Sequence, residues 1–304
     1  LAEAALDPAA LFEQQRPRLR GLAYRMLGSV SDAEDVVQEA WLRWHQADPG
    51  RLRSAEAWLV TVVTRLAVDR LRRLAAERAA YPGPWLPEPW FEPLEPVSPD
   101  RPEARLEMAG DLSTAFLLLL ERLGPEERAA LLLHDVFDVG YPDIARTLER
   151  SEAACRQMVS RARERVRQQR PRLPVTAEAR RRLLRQFLAA AKAGNEAELL
   201  GLFAPDATYV TDGGGKVFAA RRILQGAALL ARLVVNLWRK TRGVQRHELW
   251  TVNGEPAVLT WIDGQPAATL TIETDGSRIL AVHRVLNPDK LTRFPPLPQA
   301  TGQG

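Results

Sequence analysis

The sequence predicts a multidomain chain: two all-α units, the second ending in a helix-turn-helix, followed by an α+β cone. Three observations carry this reading. Helical periodicity runs through residues 8–78 and again through 107–170, with a proline-rich stretch between them. Residues 140–167 read as two helices joined by a tight turn, the second basic and amphipathic. After residue 244, runs of strand periodicity are separated by Asn253-Gly254, Asp263-Gly264 and Asp275-Gly276. At 304 residues the chain is long enough for about two or three domains with separate cores.

In the first unit, Leu11, Leu19, Leu22, Ala23, Met26 and Leu27 form one amphipathic helix ending near Gly28. Ser31-Asp-Ala-Glu34 reads as a capping box that opens an acidic helix through Trp44. Asp48-Pro-Gly50 breaks it. A third helix, over residues 54–74, turns Trp58, Leu59, Val62, Val63 and Leu66 inward and ends rich in arginine.

Residues 79–106 form a linker whose prolines exclude helix interiors and central strands, leaving it extended and semi-rigid. It also carries Tyr81, Trp85, Leu86, Trp90 and Phe91. Apolar groups of that size mark contact sites, so Trp85-Leu-Pro-Glu-Pro89 is expected to dock.

The second helical unit holds an apolar helix over 112–123, a helix over 127–137 started by Gly124-Pro125, and the helix-turn-helix. Ser151 is the N-cap of its second helix, where Cys155, Val159, Ala162 and Val166 face inward. Ala153, Gln157, Ser160 and Glu164 face outward, flanked by Arg156, Arg161, Arg163 and Arg167. Small and amide side chains beside arginines suit the DNA major groove, though a basic surface helix of any bundle shares the pattern.

In the tail, helices over 177–193 and 196–202 precede a strand at 207–211, and a helix follows over 223–240. Strands at 244–252, 257–262, 267–273 and 278–286 then form an antiparallel meander, since Asn-Gly and Asp-Gly supply the positive φ of primed hairpin turns. Helices before such a meander give an α+β cone with an interior pocket.

Charge is unevenly placed. Residues 1–170 hold 24 Arg and no Lys against 27 acids, while 171–304 hold 18 basic and 11 acidic groups. Nucleic-acid contact must therefore come from local patches, such as the nine Arg against three Glu between Arg146 and Arg172. Single Cys155 excludes an internal disulfide, fits a reducing cytoplasm and packs on the inner helix face. No apolar stretch approaches the roughly 18 residues of a membrane span, and no export leader is evident, so a cytoplasmic protein with no membrane partner is expected.

Residues 8–170 resemble an extracytoplasmic-function sigma factor of bacterial RNA polymerase. The resemblance rests on Asp32-Ala-Glu-Asp-Val-Val-Gln-Glu-Ala-Trp41, Ala57-Trp-Leu59 through Arg72, and Leu123-Gly-Pro-Glu-Glu-Arg128 followed by the helix-turn-helix. The tail resembles a SnoaL-like domain, and three motifs of the sigma factors fused to one stand here: Trp85–Pro89, Asp212-Gly-Gly-Gly-Lys216 and Asn287-Pro-Asp-Lys-Leu291. Residues 292–304 lie outside it.

The resemblance implies two partners, core RNA polymerase and promoter DNA. It assigns polymerase binding to Asp32, Glu34, Asp35, Gln38, Glu39 and Trp41, and −10 melting and reading to Arg53, Trp58, Thr61, Thr64, Arg65 and Arg70. Reading of the −35 element falls to Arg156, Gln157, Ser160, Arg161 and Arg163. For Trp41 and Trp58, core packing is the competing role. A regulatory interface is implied for Trp85, Leu86, Pro87, Glu88 and Pro89 with Asp212, Gly213, Gly214, Gly215 and Lys216, and with Asn287, Pro288, Asp289, Lys290 and Leu291. The acidic run 88–111 and the basic run 172–192 favour contact between linker and tail. The tail would then fix the relative geometry of the two DNA-binding units and modulate activity in cis, with no separate anti-sigma factor.

The rival reading is a stand-alone DNA-binding regulator whose tail senses a small molecule or acts as an isomerase or cyclase. Base catalysis in a cone needs an interior Asp, Glu or His, and the candidates are Asp212, His247, Glu248, Asp263 and His283. No paired His/Asp spacing, metal motif or cofactor motif accompanies them, so no catalytic residue and no cofactor is assigned. Tyr209, Trp250 and Trp261 leave room in the cone for a small apolar ligand. The glycine loop lacks the phosphate-loop frame and instead permits close backbone approach by a partner segment.

Overall fold

The computed structural model describes residues 8–47, 52, 54–92, 112–168, 175–241 and 245–297. The chain forms two compact units. Among the described residues, one gathers those of 8–79, with 112 and 116–168; the other gathers 80–92, 113–115 and those of 175–297.

In the first unit, α1 (Pro8–Leu27), α2 (Val30–Gln46) and α3 (Ala55–Ala79) pack around Phe12, Leu22, Met26, Val37, Trp44, Leu59 and Val63. Trp44 belongs to that core and donates its indole N–H to the Pro8 carbonyl at 2.8 Å. The expected capping box is displaced: Ser29, not Ser31, caps α2, its Oγ accepting from the Asp32 amide at 3.1 Å. With Gly28 at φ 64 ending α1, Ser29 is the first residue placed to receive that amide. Helix α3 runs five residues past the expected Leu74, since residues 75–79 have good helix formers and no breaker.

Helix α4 (Thr114–Leu120) precedes α5 (Pro125–Asp135), α6 (Tyr141–Leu148) and α7 (Glu152–Arg167). Ser151 caps α7, accepting from the Ala154 amide at 3.2 Å. Glu149 makes the turn between α6 and α7 in the left-handed region, φ 55. Cys155, Val159 and Ala162 are buried as expected, joined by Met158, while Val166 is half-buried.

The second unit is a seven-stranded open sheet in the order β1-β4-β5-β6-β7-β2-β3. Its strands are β1 (Phe91–Glu92), β2 (Phe203–Asp212), β3 (Leu224–Gln225), β4 (Gln245–Val252), β5 (Glu255–Ile262), β6 (Gln265–Thr274) and β7 (Ile279–Val285). The antiparallel meander β4–β7 forms as expected, and β2 adds parallel to β7. Helices α8 (Ala177–Ala193), α9 (Glu196–Leu202) and α10 (Ala227–Lys240) contribute Leu183, Phe187, Leu199, Leu230 and Val234 to the core over Tyr209, Val258, Ile272 and Val282.

Two expectations are corrected here. The helix over 223–240 starts only at Ala227, because Gly226 at φ 104 breaks the chain after β3. Two hairpins have the positive-φ pairs Asn253/Gly254 and Asp263/Gly264, but the third turn is different. There Asp275 Oδ1 accepts from the amides of Ser277 and Arg278, both at 2.8 Å, making a side-chain-built turn. Beyond the docking expected of the linker, Phe91 and Glu92 pair with Val252 and Thr251 as an edge strand.

Candidate nucleic-acid interface

Helix α7 presents Arg156, Gln157, Ser160, Arg161 and Arg163 to solvent on the side opposite its buried stripe. Arg156 lies over the Tyr141 ring, 5.0 Å from its centroid, and pairs with Glu152 at 2.8 Å. Arg161 stands 3.7 Å from Glu127, close to Arg165. Arg163 is held differently, its Nε donating to Asp135 Oδ2 at 2.9 Å beside His134. The Asp135 carboxyl lies below the usual range: hydrogen bonds from Arg163 and His134 outweigh its burial, which acts the other way.

On α2, Asp35 and Gln38 are exposed, Glu34 and Glu39 half-buried and paired with Arg20 and Arg43. Trp41 is half-buried between Phe12 and His45, with ring centroids 4.9 and 5.9 Å away. Leu42, 51% exposed, completes this face and was missed from sequence. Its signal was there: positions 35, 38, 39 and 42 follow one helical stripe that the core does not use. Asp32 is turned elsewhere, its Oδ1 accepting from Arg70 Nε at 2.7 Å.

The expected −10 residues are dispersed. Arg53 lies outside the described residues. Trp58 is half-buried against Trp44, centroids 5.6 Å apart. Thr64 is fully buried, a correction: it shares the inner stripe of Val60, Val63, Ala67 and Leu71, where no base can reach it. Thr61 and Arg65 are engaged by the helix-turn-helix itself. Thr61 Oγ1 lies 3.1 Å from Thr147 Oγ1, while Arg65 donates to the carbonyls of Thr147 and Arg146, both at 2.9 Å. Arg65 also meets Glu149 at 3.1 Å.

Further arginines close the same seam. Arg72 and Arg150 both bind the Glu126 carboxylate. Buried Arg128 donates to the Met26 carbonyl and to Glu121 at 2.8 Å, and Arg78 donates to the Leu27 carbonyl at 2.6 Å. Both guanidiniums cap the C-terminal carbonyls of α1, where the helix dipole favours cations. Burial pulls Arg128 down to about 9. The two helical blocks therefore pack directly on each other, where the sequence suggested blocks apart on a tether.

In the second unit the three regulatory motifs converge on Asp212, which is fully buried. Its Oδ1 accepts from Tyr81 Oη at 2.5 Å and the Gly214 amide at 3.0 Å; its Oδ2 accepts from the Leu86 amide at 2.9 Å and Lys290 Nζ at 2.7 Å. Lys290 also donates to the Leu86 carbonyl and sits 4.2 Å from the Trp85 ring centroid. Asn287 Nδ2 donates to Tyr81 Oη at 3.0 Å, and Lys216 pairs with Asp289 at 2.6 Å. Burial, then the Asp212 carboxylate, pushes the Tyr81 phenol up. Leu86, Pro87, Glu88 and Pro89 are buried, Gly213 and Leu291 likewise, and Pro288 is exposed. A Cβ on Gly214 would fall 2.3 Å from Asn287, and one on Gly215 2.7 Å from Pro82. Tyr81 is the member of this cluster that sequence reasoning left unassigned. The expected acidic run lies largely in 93–111, outside the described residues.

The catalytic candidates do not assemble. Asp212 is consumed by the network above. His247 has both ring nitrogens occupied, by Thr260 and Gln245 at 3.0 Å each, and stacks on Trp238. Burial, aided by Arg284, lowers it to about 4. Glu248 pairs with Arg246 at 2.9 Å, and Asp263 makes a hairpin turn. His283 is buried 3.5 Å from Glu273. Tyr209, Trp250 and Trp261 do not line one cavity: Tyr209 joins the helix-facing core, whereas Trp261 packs on Phe294, centroids 5.1 Å apart. Strand alternation sets Trp250 opposite its neighbour Leu249, which packs on that core. Among the described residues no group of three His, Cys, Asp or Glu could hold a metal, and no helix is long and apolar enough to cross a membrane.

Comparison with known proteins agrees with this layout. The family models for Sigma-70 region 2 and Sigma-70, region 4 match residues 11–77 and 113–166. ECF RNA polymerase sigma factor SigJ of Mycobacterium tuberculosis is 38% identical, over 96% of this chain and 97% of that protein. Probable ECF RNA polymerase sigma factor SigI of the same species is 29% identical, over 94% and 95%. The crystal structure of SigJ superimposes with a TM-score of 0.75 at 34% identity, covering 95% of this chain and all of that one. With both helical regions matched and likeness running on through the C-terminal sheet, the chain belongs to the extracytoplasmic-function sigma factors of RNA polymerase.

Proposed function

We propose that this chain binds core RNA polymerase through the outer face of α2 and directs it to promoters through α3 and α7. On this reading Asp35, Gln38, Glu39, Trp41 and Leu42 meet the polymerase, and Arg156, Gln157, Ser160 and Arg161 read the −35 element. The observation that carries it is the open outer face of α7, with amide, hydroxyl and guanidinium groups exposed opposite a buried stripe. Functionally the chain divides into residues 8–78 and 107–170 as the promoter-reading parts, 79–106 as linker, 176–291 as regulatory domain and 292–304 as tail. It works in the cytoplasm, where polymerase and promoters are.

Regulation is proposed to lie in cis, without a separate anti-sigma factor and without catalysis. The buried Asp212–Lys290 pair, gripping the linker at Tyr81 and Leu86, supports that reading. Thr61 and Arg65, engaged by Thr147 and Glu149, must let go before α3 can meet the −10 element. The test is in vitro transcription with core polymerase on a library of promoters. Polymerase-dependent selection of a −10/−35 pair is the expected result; tight operator binding with no effect on polymerase would sink it.

A further inference from the structure

The loop Gly213–Ile223, between β2 and β3, reads Gly-Gly-Gly-Lys-Val-Phe-Ala-Ala-Arg-Arg-Ile and contains three cations and no acid. Its base is anchored from several sides. The amides of Lys216 and Val217 turn back onto the Gly213 carbonyl at 3.0 and 3.3 Å, and Thr211 Oγ1 donates to the Ala220 carbonyl at 3.2 Å. On the linker side, Gly83 at φ +101 lies beside the Arg221 backbone, where a Cβ would sit in ordinary contact 3.4 Å from its Cα.

Its outer part is anchored but bare. Phe218 is 101% exposed, Ile223 58% and Val217 41%. Arg221 and Arg222 are exposed, and neither guanidinium has a side-chain partner among the described residues. A phenyl ring held wholly in water on a fixed loop contributes nothing to folding and marks a contact site. Beside it, two unpaired arginines specify a partner of opposite sign. A ring for stacking or wedging against a base, with guanidiniums for the flanking phosphates, is the pairing that nucleic-acid surfaces use. In the working complex of a sigma factor, the polyanion at hand is the promoter.

We infer that the Gly213–Ile223 loop is a third DNA contact of this chain, with Arg221 and Arg222 on backbone phosphates and Phe218 against a base. The inference rests on the sigma-factor reading, and complex formation by the unmodified full-length chain with core polymerase and promoter, scored first, tests that reading separately. The loop itself is tested by placing a photo-crosslinking benzoylphenylalanine at position 218 of the full chain in that complex. The expected product is chain joined to labelled promoter DNA. A crosslink to a polymerase subunit, or none from a complex that forms normally, would overturn the inference. As a second measurement, R221A/R222A should flatten the dependence of log affinity on log salt by about two phosphates' worth. The charge-matched pair R239A/K240A, at the end of α10, should leave that slope in place; equal loss from both pairs would reduce the effect to general charge and also overturn it.

Discussion

Lys290 Nζ lies 2.7 Å from Asp212 Oδ2, joining a fully buried carboxylate to an ammonium that also rests on the Trp85 ring. Breaking one side of such a pair leaves an uncompensated charge in the interior, at about 3–5 kcal/mol. Lys290→Met is therefore expected to destabilise the second unit by that amount and to loosen residues 81–92 first. Urea unfolding followed by tryptophan fluorescence measures the loss, and hydrogen exchange at Leu86 locates it. A variant as stable as the parent would refute the role given to this pair.

Gly214 makes a sharper geometric prediction. Its φ of +59 and the 2.3 Å approach of a Cβ to Asn287 Nδ2 compound each other. Gly214→Ala should cost about 2–4 kcal/mol, more than the strain of the backbone alone. Gly194, also at positive φ but with open space around it, supplies the control; there alanine should cost only about 1 kcal/mol.

The seam between α3 and the helix-turn-helix is predicted to respond to Thr61→Ala with Arg65→Ala. Together they remove Thr61–Thr147, the two bonds to the Arg146 and Thr147 carbonyls, and the pair with Glu149. Partly exposed contacts of this kind contribute roughly 1–2 kcal/mol in all. Amide exchange should rise at 144–150 while the core around Leu22 and Val63 stays protected. Unchanged exchange would mean that these contacts do not hold the seam.

On α7 the arginines should separate by readout. Arg156→Ala is expected to weaken −35 binding by about 1–3 kcal/mol and to relax selection at one base pair. Arg163, drawn back onto Asp135, is expected to behave as a phosphate contact, its alanine variant weakening all sequences alike and lowering the salt slope by about one. Competition binding on mutated −35 elements distinguishes them.

Acid should act through His283. Burial lowers its imidazole to about 4, below the ordinary value near 6.5, so the unfolded chain takes up the proton first as pH falls. Stability is intact above about pH 6.5 and is lost from there down to about 4, by up to about 3 kcal/mol for this group. Glu273 at 3.5 Å works against that loss, and burial outweighs it. Denaturation at pH 7 and 4.5 should show a smaller difference for His283→Gln than for the parent.

Much of this architecture was legible in the residues. Periodicity placed α1, α2 and α7 within a few positions, and Asn253-Gly254 and Asp263-Gly264 announced their hairpins through the φ they require. What escaped was set by distance along the chain. Nothing local to Asp212 says that Lys290 neutralises it or that Tyr81 reaches across 131 positions to bind it. Thr64 was assigned to the −10 element through the resemblance, yet its place on the inner stripe of the helix buries it. Aromatics in a proline-rich stretch did foretell docking; the edge strand at Phe91 did not follow from them, because strand pairing depends on Val252, far along the chain.

The pairing of Phe91 and Glu92 with β4 bears on how this molecule can be cut. A fragment beginning at residue 171 would carry the whole meander but leave the Val252 edge with unsatisfied amides and take Phe91 away from Phe294, which would keep Trp261 alone. Such a piece is set to pair edge to edge with its own copies, and its aggregation would say nothing about the intact chain. The smallest excised form that keeps its border sealed must bring residues 81–92 along, as a tethered segment or as an added peptide.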